Sequence, residues 1–292
     1  MNILDYITQV SMQLEESGSF YGHGTDNSRD EAAYLVCGTL GISHDHDLRT
    51  LNHNLDEEEL RTLEMKVEQR IKDKIPTAYL VGEAWFAGLN FSVDKRVLIP
   101  RSPLAELIKN RFSPLIKTDP KRVLDLCAGS GCLGVAIAKY FKDSVVDLSD
   151  NDENCIELAK YNVEKHNLSG RITCIQSDLF KNIADRYDLI VSNPPYVSDK
   201  EYETLPAEYL HEPRAALVCN ESGLGIPTRI LQEAKNYLVK GGILILEVGQ
   251  SEKNLQERFS HVPFLWLDFE NGGGGVLAVT AEQLAEYCND LN

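Results

Sequence analysis

Several absences narrow what this chain can be. No stretch approaches the ~18 consecutive apolar residues of a membrane helix, although 43% of its 292 residues are hydrophobic. Basic side chains are scarce: 29 Lys and Arg stand against 45 Asp and Glu, a net charge of −16. Binding along a bare phosphate backbone needs clustered Lys and Arg, so direct reading of nucleic acid is not expected. A basic protein partner, drawn in by long-range attraction, suits the charge better. The seven cysteines (Cys37, Cys127, Cys132, Cys155, Cys174, Cys219, Cys288) are odd in number and include no Cys-x-x-Cys pair. Reduced, mostly buried thiols of a cytoplasmic protein are expected, not a disulfide framework. The opening segment "MNILDYITQVSMQLEES" has no basic region and carries acids early, so no secretory signal is predicted.

The remaining pattern divides the chain into a helical bundle over residues 1–78, a β-hairpin linker over 79–101 and an α/β domain over 102–292. In the first part Ile3, Ile7, Val10 and Leu14 share one helical face. "SRDEAAYLVCGTLG" places Glu31 three residues after Ser28 and ends on a glycine, the signature of a capped helix. A third helix starts at Asp56 with Glu59 as its capping partner and a Leu55–Leu60 staple. Leu60, Leu63, Val67 and Ile71 give it an apolar stripe, and Pro76 closes it. Such a bundle carries no chemistry of its own, and protein recognition is its expected role. "HDHD" at 44–47 reads as an inter-helix loop, because four consecutive side chains cannot all converge on one ion. No metal site is predicted. In "AWFAGLNFSVDKRVLI" (84–99) apolar and polar residues alternate around a turn at Asp94-Lys95, predicting the hairpin.

From about residue 122 the rhythm is strand, helix, strand, helix. "RVLDLC", "SVVDLSD", "RITCIQSD", "DLIVSN", "ILILEVG", "FLWLDFE" and "GVLAVTA" read as strands. "GCLGVAIAKYF", "NCIELAKYNVEKH" and "TRILQEAKNYLVKGG" read as helices. That alternation predicts a mostly parallel, doubly wound sheet with helices on both faces.

The first strand–helix junction, "LDLCAGSGCLG", sets Gly129 and Gly131 where backbone can approach a ligand closely. Asp125 lies inside the strand, where a dinucleotide pyrophosphate would sit poorly and a cationic or zwitterionic ligand, such as an amino acid carrying a sulfonium, would sit well. Asp150 ends the next strand about twenty residues past the last glycine, the separation expected of a carboxylate on ribose hydroxyls. Asp178 ends the third, within reach of an adenine amino group. Three acids at three strand ends, with the glycine turn, outline an adenosine-containing ligand.

After the fourth strand comes "DLIVSNPPYVS" (188–198), an apolar run that stops at Asn193, Pro194, Pro195 and Tyr196. Neither proline donates a backbone hydrogen bond, and each fixes its own φ and restricts the residue before it. The product is a stiff loop that holds an amide and a phenol at a strand's C-terminal end.

With "DLCAGSG", Asp150 and "NPPY" together, the chain resembles the Rossmann-like methyltransferases that use S-adenosylmethionine, in the subset that acts on planar amino or amide nitrogens. "YLVGEAWFAGLNFSVDKRVLIPRSP" before "VLDLCAGSGCLGVAIA" is similar to the HemK-like protein glutamine methyltransferases of translation proteins. "IPRSP", "LAEL", "YLHEPRAAL" and "FENGGGGVLAVT" look like the branch that modifies the third large-subunit ribosomal protein. The resemblance implies a seven-stranded Rossmann-like domain and a basic ribosomal protein as substrate. It implies cofactor contacts at Asp125, Cys127, Gly129, Gly131, Asp150, Asp178, Leu179 and Asn193. Substrate contacts fall on Asn193, Pro194, Pro195, Tyr196, Arg101 and Glu212, of which Asn193, Pro194 and Tyr196 are the catalytic set. Two features depart from the family: "NDEN" follows Asp150 where Ser-Pro is usual, and Leu179 stands where an aromatic often packs near adenine.

A carboxamide nitrogen is a poor nucleophile because its lone pair is delocalised into the carbonyl. The Asn193 side-chain oxygen and the Pro194 carbonyl are expected to accept its two hydrogens, with Tyr196 as a flat wall beside the amide. A sulfonium is already an excellent leaving group, so alignment and charge placement are expected to dominate without a metal or a strong base. Water or Glu212 are both open as proton acceptors. The release-factor branch shares this chemistry; an amino-methylating DNA enzyme or an idle assembly factor are more distant readings.

Overall fold

In a computed structural model of the chain, residues 1–42 and 48–287 are described here; the "HDHD" loop at 44–47 and Cys288 lie outside them. Three amphipathic helices, α1 (Ile3–Glu16), α2 (Ser28–Thr39) and α3 (Glu57–Lys72), open the chain. They bury Ile3, Ile7, Val10, Leu14, Leu35, Leu63 and Val67 in a core of their own, each fully buried aliphatic contributing ~1.5–3 kcal/mol. The capping box at α3 forms as expected: the Asp56 carboxylate accepts the Glu59 N–H at 2.8 Å, and the Glu59 carboxylate accepts the Asp56 N–H at 2.9 Å. At α2 the expectation fails. Asn27, not Ser28, caps the helix, accepting the Asp30 N–H at 2.9 Å, and Glu31 turns inward to Arg70 and Thr77. A buried arginine outcompetes a cap for that carboxylate.

A short helix α4 (Thr77–Val81) leads into the hairpin of β1 (Glu83–Phe86) and β2 (Leu89–Ser92). Its turn is at Ala87-Gly88, not at Asp94-Lys95, because Phe86 pairs with Leu89 and Glu83 with Ser92. Both turn residues have positive φ, 49° and 79°, the geometry that matches the twist of a two-residue hairpin. Asp94 instead lies beyond the strand and fastens Arg96.

After α5 (Leu104–Lys109) the sheet begins with β3 (Arg122–Leu126), followed by α6 (Cys132–Tyr140), β4 (Val145–Asp150), α7 (Glu153–Lys165), β5 (Ile172–Gln176) and β6 (Tyr187–Ser192). β7 (Leu238–Glu247), β8 (Leu265–Trp266) and β9 (Val276–Thr280) complete seven strands in the order β5-β4-β3-β6-β7-β9-β8. β5 to β7 are parallel neighbours, while β9 is antiparallel to both β7 and β8. Alternation along β3 feeds both faces: Val123 packs in the core under α6 and α7, and Leu124 and Leu126 in the core under the helix Gly225–Glu233. That helix is shorter than its periodicity predicts. It gives way to a 3-10 turn over Ala234–Asn236, and Leu238 already pairs with Tyr187 in the sheet. The "FLWLDFE" strand likewise shrinks to two residues.

The chain runs outward from β3 through β4 to β5, then returns to lay β6 on the other side of β3. The reversal leaves a crevice above the C-terminal ends of β3 and β6, where open α/β sheets bind ligands.

Candidate active site

Two cavities open at that crevice. The first is walled by the loops after β3, β4 and β5 and includes Cys127, Gly129, Asp150, Asp178, Leu179, Asn193 and Pro195. The second is walled by Asn193, Pro194, Tyr196, Glu201, Leu205, Tyr209 and Glu247. Leu98, Arg101, Asn193 and Ala216 line both. Asn193 thus stands at the junction, and among the described residues its side chain takes part in no hydrogen bond with the protein. Its amide is available to whatever enters.

Backbone makes much of the first cavity. Cys127, Gly129 and Gly131 all hold positive φ (59°, 53° and 78°), so the loop turns sharply. A Cβ on Gly131 would lie 2.9 Å from Leu148 Cδ1, so a side chain there fails on conformation and space together. The Asp150 carboxylate accepts the Gly129 N–H at 2.9 Å and the Asp152 N–H at 3.0 Å. Burial raises its carboxyl above the usual range, against those two donors. The "NDEN" departure is therefore accommodated: Asp152 N–H supports Asp150, and Asn151 and Asp152 line the same cavity. Leu179, at φ 48°, supplies apolar wall, with its carbonyl held by Ser177 Oγ at 2.7 Å. Asp178 is more than half exposed and pairs with Arg229 at 3.0 Å.

Three expected residues do not line either cavity. Gly131 shapes the loop from behind. Asp125 is fully buried, with Oδ2 accepting the Gly134 N–H at 2.8 Å in the first turn of α6 and Oδ1 buried without a hydrogen-bond partner. Burial pushes its carboxyl up to about 7, against the Gly134 N–H and with the Asp150 charge adding to the rise. It acts on the loop from beneath, through the helix N-terminus that its charge complements. Glu212 is the third. Its side chain has no exposure and grips Arg101 in a two-pronged ion pair at 2.6 and 2.7 Å, while also accepting the Ile99 N–H at 2.9 Å. Burial would raise its carboxyl, but Arg101 and His23 outweigh it and hold it down to about 2. A carboxylate this saturated and this acidic is no proton acceptor. Its work is to orient Arg101.

In the second cavity Tyr196 is held at its side chain and at its backbone. Its hydroxyl donates to Glu247 Oε1 at 2.9 Å, its carbonyl accepts from Ser251 Oγ at 2.8 Å, and burial raises its phenol well above the ordinary value. Glu247 is also bonded by Ser102 Oγ, and burial raises its carboxyl despite both hydroxyl donors. A Cβ on Gly249 would meet the Tyr196 ring at 2.4 Å, so glycine there leaves room for the ring. Sequence reasoning overlooked Glu247; the signal was an acid closing the apolar run "LILE" at a strand end. Tyr209, with the Arg101 guanidinium 5.1 Å from its ring centroid, opens the segment "YLHEPRAAL" but is absent from the expected site residues.

The first cavity fits an adenosyl amino acid. It offers close backbone approach at Gly129, a carboxylate at a strand end for paired hydroxyls, and the apolar side chains of Leu179, Ile226 and Leu133 for a flat ring.

The Methyltransferase small domain family matches residues 107–223, and the PrmC N-terminal domain family matches residues 6–82. The chain is 42% identical over 288 residues to the ribosomal protein uL3 glutamine methyltransferase of Francisella tularensis, covering 98% of this chain and 92% of that one. It is 41% identical to the protein of the same name from Neisseria meningitidis, covering 97% and 94%. Among solved structures, the hMettl16 catalytic domain in complex with MAT2A 3'UTR hairpin 1 shares the fold, with a TM-score of 0.53 at 17% identity, covering 89% and 94% of the two chains.

Proposed function

Because this chain belongs to the ribosomal protein uL3 glutamine methyltransferase family, we propose that it methylates the side-chain amide nitrogen of a glutamine in ribosomal protein uL3, with S-adenosylmethionine as donor. The observation that carries the reading is Asn193: it stands between the two cavities with its own amide unengaged.

In this account Gly129, Asp150, Asp178 and Leu179 hold the donor. Bound S-adenosylmethionine supplies a methyl group on a sulfonium, already activated for transfer. The chain's own contribution is to present the acceptor. Asn193 Oδ1 and the Pro194 carbonyl each accept one hydrogen of the target amide, fixing its plane and drawing lone-pair density onto its nitrogen. As that nitrogen gains the methyl group, sulfur keeps the electron pair of its broken bond and one amide proton leaves to water, Glu212 being already saturated. Two prolines in sequence keep those acceptors from relaxing. Tyr196, locked by Glu247 and Ser251, walls one face of the amide. Positioning and preorganised polar groups supply the acceleration. Residues 1–78 serve recognition of the protein substrate, whose basic charge is complementary to the chain's −16. Action in the cytoplasm, without membrane or direct nucleic-acid reading, completes the proposal; among the described residues no helix is long and apolar enough to cross a membrane.

The experiment is to incubate the purified protein and methyl-labelled S-adenosylmethionine with uL3 and, separately, with a peptide chain release factor. Label on a glutamine of uL3, located by mass spectrometry, is the expected result. Label on the release factor alone would overturn the substrate assignment.

A further inference from the structure

The wall of the acceptor cavity is not held by the α/β domain alone. Leu205 and Tyr209 line that cavity, and the short segment that carries them is fastened to the N-terminal bundle at four successive points. Arg70 of α3, 1% exposed, donates from Nη1 to Glu208 at 3.1 Å, from Nε to Glu31 at 2.7 Å and from Nη2 to the Phe20 carbonyl at 2.7 Å. Glu208 also accepts the Phe20 N–H at 2.9 Å. His23 stacks on Tyr209 with ring centroids 4.5 Å apart, and its Nε2 lies 3.4 Å from Glu212. His211 Nε2 is 2.7 Å from the Asp73 carbonyl. Glu212 in turn orients Arg101, which lines both cavities.

We propose that Arg70 and His23 are positioning residues for methyl transfer, so that the N-terminal bundle completes the acceptor cavity as well as meeting the protein substrate. The proposal rests on the amide-methylating reading above and adds to it. Buried ion pairs are a costly way to join two units, since apolar packing often stabilises as well or better. They differ in being directional: a guanidinium with three separate partners fixes Phe20, Glu31 and Glu208 in one geometry. From Arg70 and Glu208 the contacts run through Phe20 and Tyr209 to His23, and from His23 through Glu212 to Arg101, which lines both cavities as Asn193 does; Arg70 and His23 touch neither cavity themselves.

The test uses the full chain with Arg70→Met, Glu208→Gln and His23→Ala. The first readout is single-turnover methyl transfer at saturating cofactor, on intact uL3 and on a short peptide around its target glutamine, too small to span the bundle. Arg70→Met is expected to lose about ten- to hundredfold in rate on both acceptors, the scale of a displaced reacting group, with cofactor affinity unchanged. Glu208→Gln keeps an acceptor oxygen for Arg70 and Phe20 and is expected to retain most of the rate. A loss confined to intact uL3, with the peptide methylated normally, would overturn the proposal in favour of simple docking. So would a loss of thermal stability with unchanged rate per folded molecule. Should Arg70→Met fail to fold, His23→Ala carries the same test. The second readout needs no acceptor: amide hydrogen exchange is expected to rise in residues 199–217 of each disrupted variant and to stay unchanged in residues 127–133. Unchanged exchange at 199–217 overturns the proposal even if uL3 itself proves not to be the acceptor, an outcome that would sink only the substrate assignment.

Discussion

The two cavities that meet at Asn193 differ in where their polar groups come from. In the first cavity the glycines and carboxylates are local, supplied by three strand ends and the loops that directly follow them, while Leu98, Arg101 and Ile226 reach it from elsewhere in the chain. The acceptor cavity is assembled from afar, with Leu98 and Arg101 before the sheet, Tyr196 to Tyr209 after β6, and Glu247 and Gln250 after β7. It is then braced by Phe20, Arg70 and Asp73 of the N-terminal bundle. A cavity made by backbone at strand ends follows from topology and can serve many acceptors. In the proposed reading, one made by scattered side chains is where the choice of acceptor would reside.

That contrast can be broken most forcefully at its hinge. Asn193→Ala is expected to lower the rate of methyl transfer by about 10²–10³, the scale for deleting one preorganised polar group, measured as single turnover normalised to folded protein. Asn193→Asp keeps an acceptor and is expected to be partly active with altered cofactor affinity. In the cofactor cavity, Asp150→Ala is expected to weaken S-adenosylmethionine binding by about 1–3 kcal/mol, read by titration calorimetry. Unchanged affinity would remove Asp150 from the ribose.

A smaller, pH-dependent effect is expected at Asp125. Its carboxyl ordinarily titrates at 3.8 and in the folded chain is pushed up to about 7 by burial. The folded state therefore holds more protons across that window. The stability this group contributes is complete below the unfolded value and is lost as pH rises through the folded one. Asp125→Asn, which keeps an acceptor for the Gly134 N–H, is expected to melt higher than the parent at pH 8 without cofactor, with the difference shrinking towards pH 5. An equal difference at both values would mean that the carboxyl is not the cause. The smallest effect is expected at Asp178→Ala. This side chain is exposed and already paired with Arg229, and exposed ion pairs contribute about 0–1 kcal/mol. A change of more than about tenfold in cofactor affinity would assign it a larger share of the adenine.

The same contrast explains how far the sequence could be read. Strand periodicity, the glycine turn, Asp150 and the stiff Asn-Pro-Pro-Tyr exit are local signals, and each is found where its own neighbours dictate. Long-range contacts decided the rest. Glu31 has the spacing of a capping partner for Ser28, but Arg70, far along the chain, claims it. Glu212 has the makings of a base until Arg101 and His23 are placed against it. The hairpin turn moved from Asp94-Lys95 to Ala87-Gly88 because the register pairs Phe86 with Leu89, although Gly88 was a visible turn signal. Asp125 was read as facing the ligand; its strand position alone could not tell that its carboxylate points beneath the α6 N-terminus.

The most direct test of two separate half-sites joined at Asn193 is to measure cofactor affinity and single-turnover rate on uL3 for both Asp150→Ala and Asn193→Ala. A crossed pattern is predicted: Asp150→Ala loses affinity but recovers most of the rate at saturating cofactor, whereas Asn193→Ala keeps affinity and loses rate at any cofactor concentration. Two variants that each lose affinity and rate together, or an Asn193→Ala enzyme near the parent rate, would contradict the account.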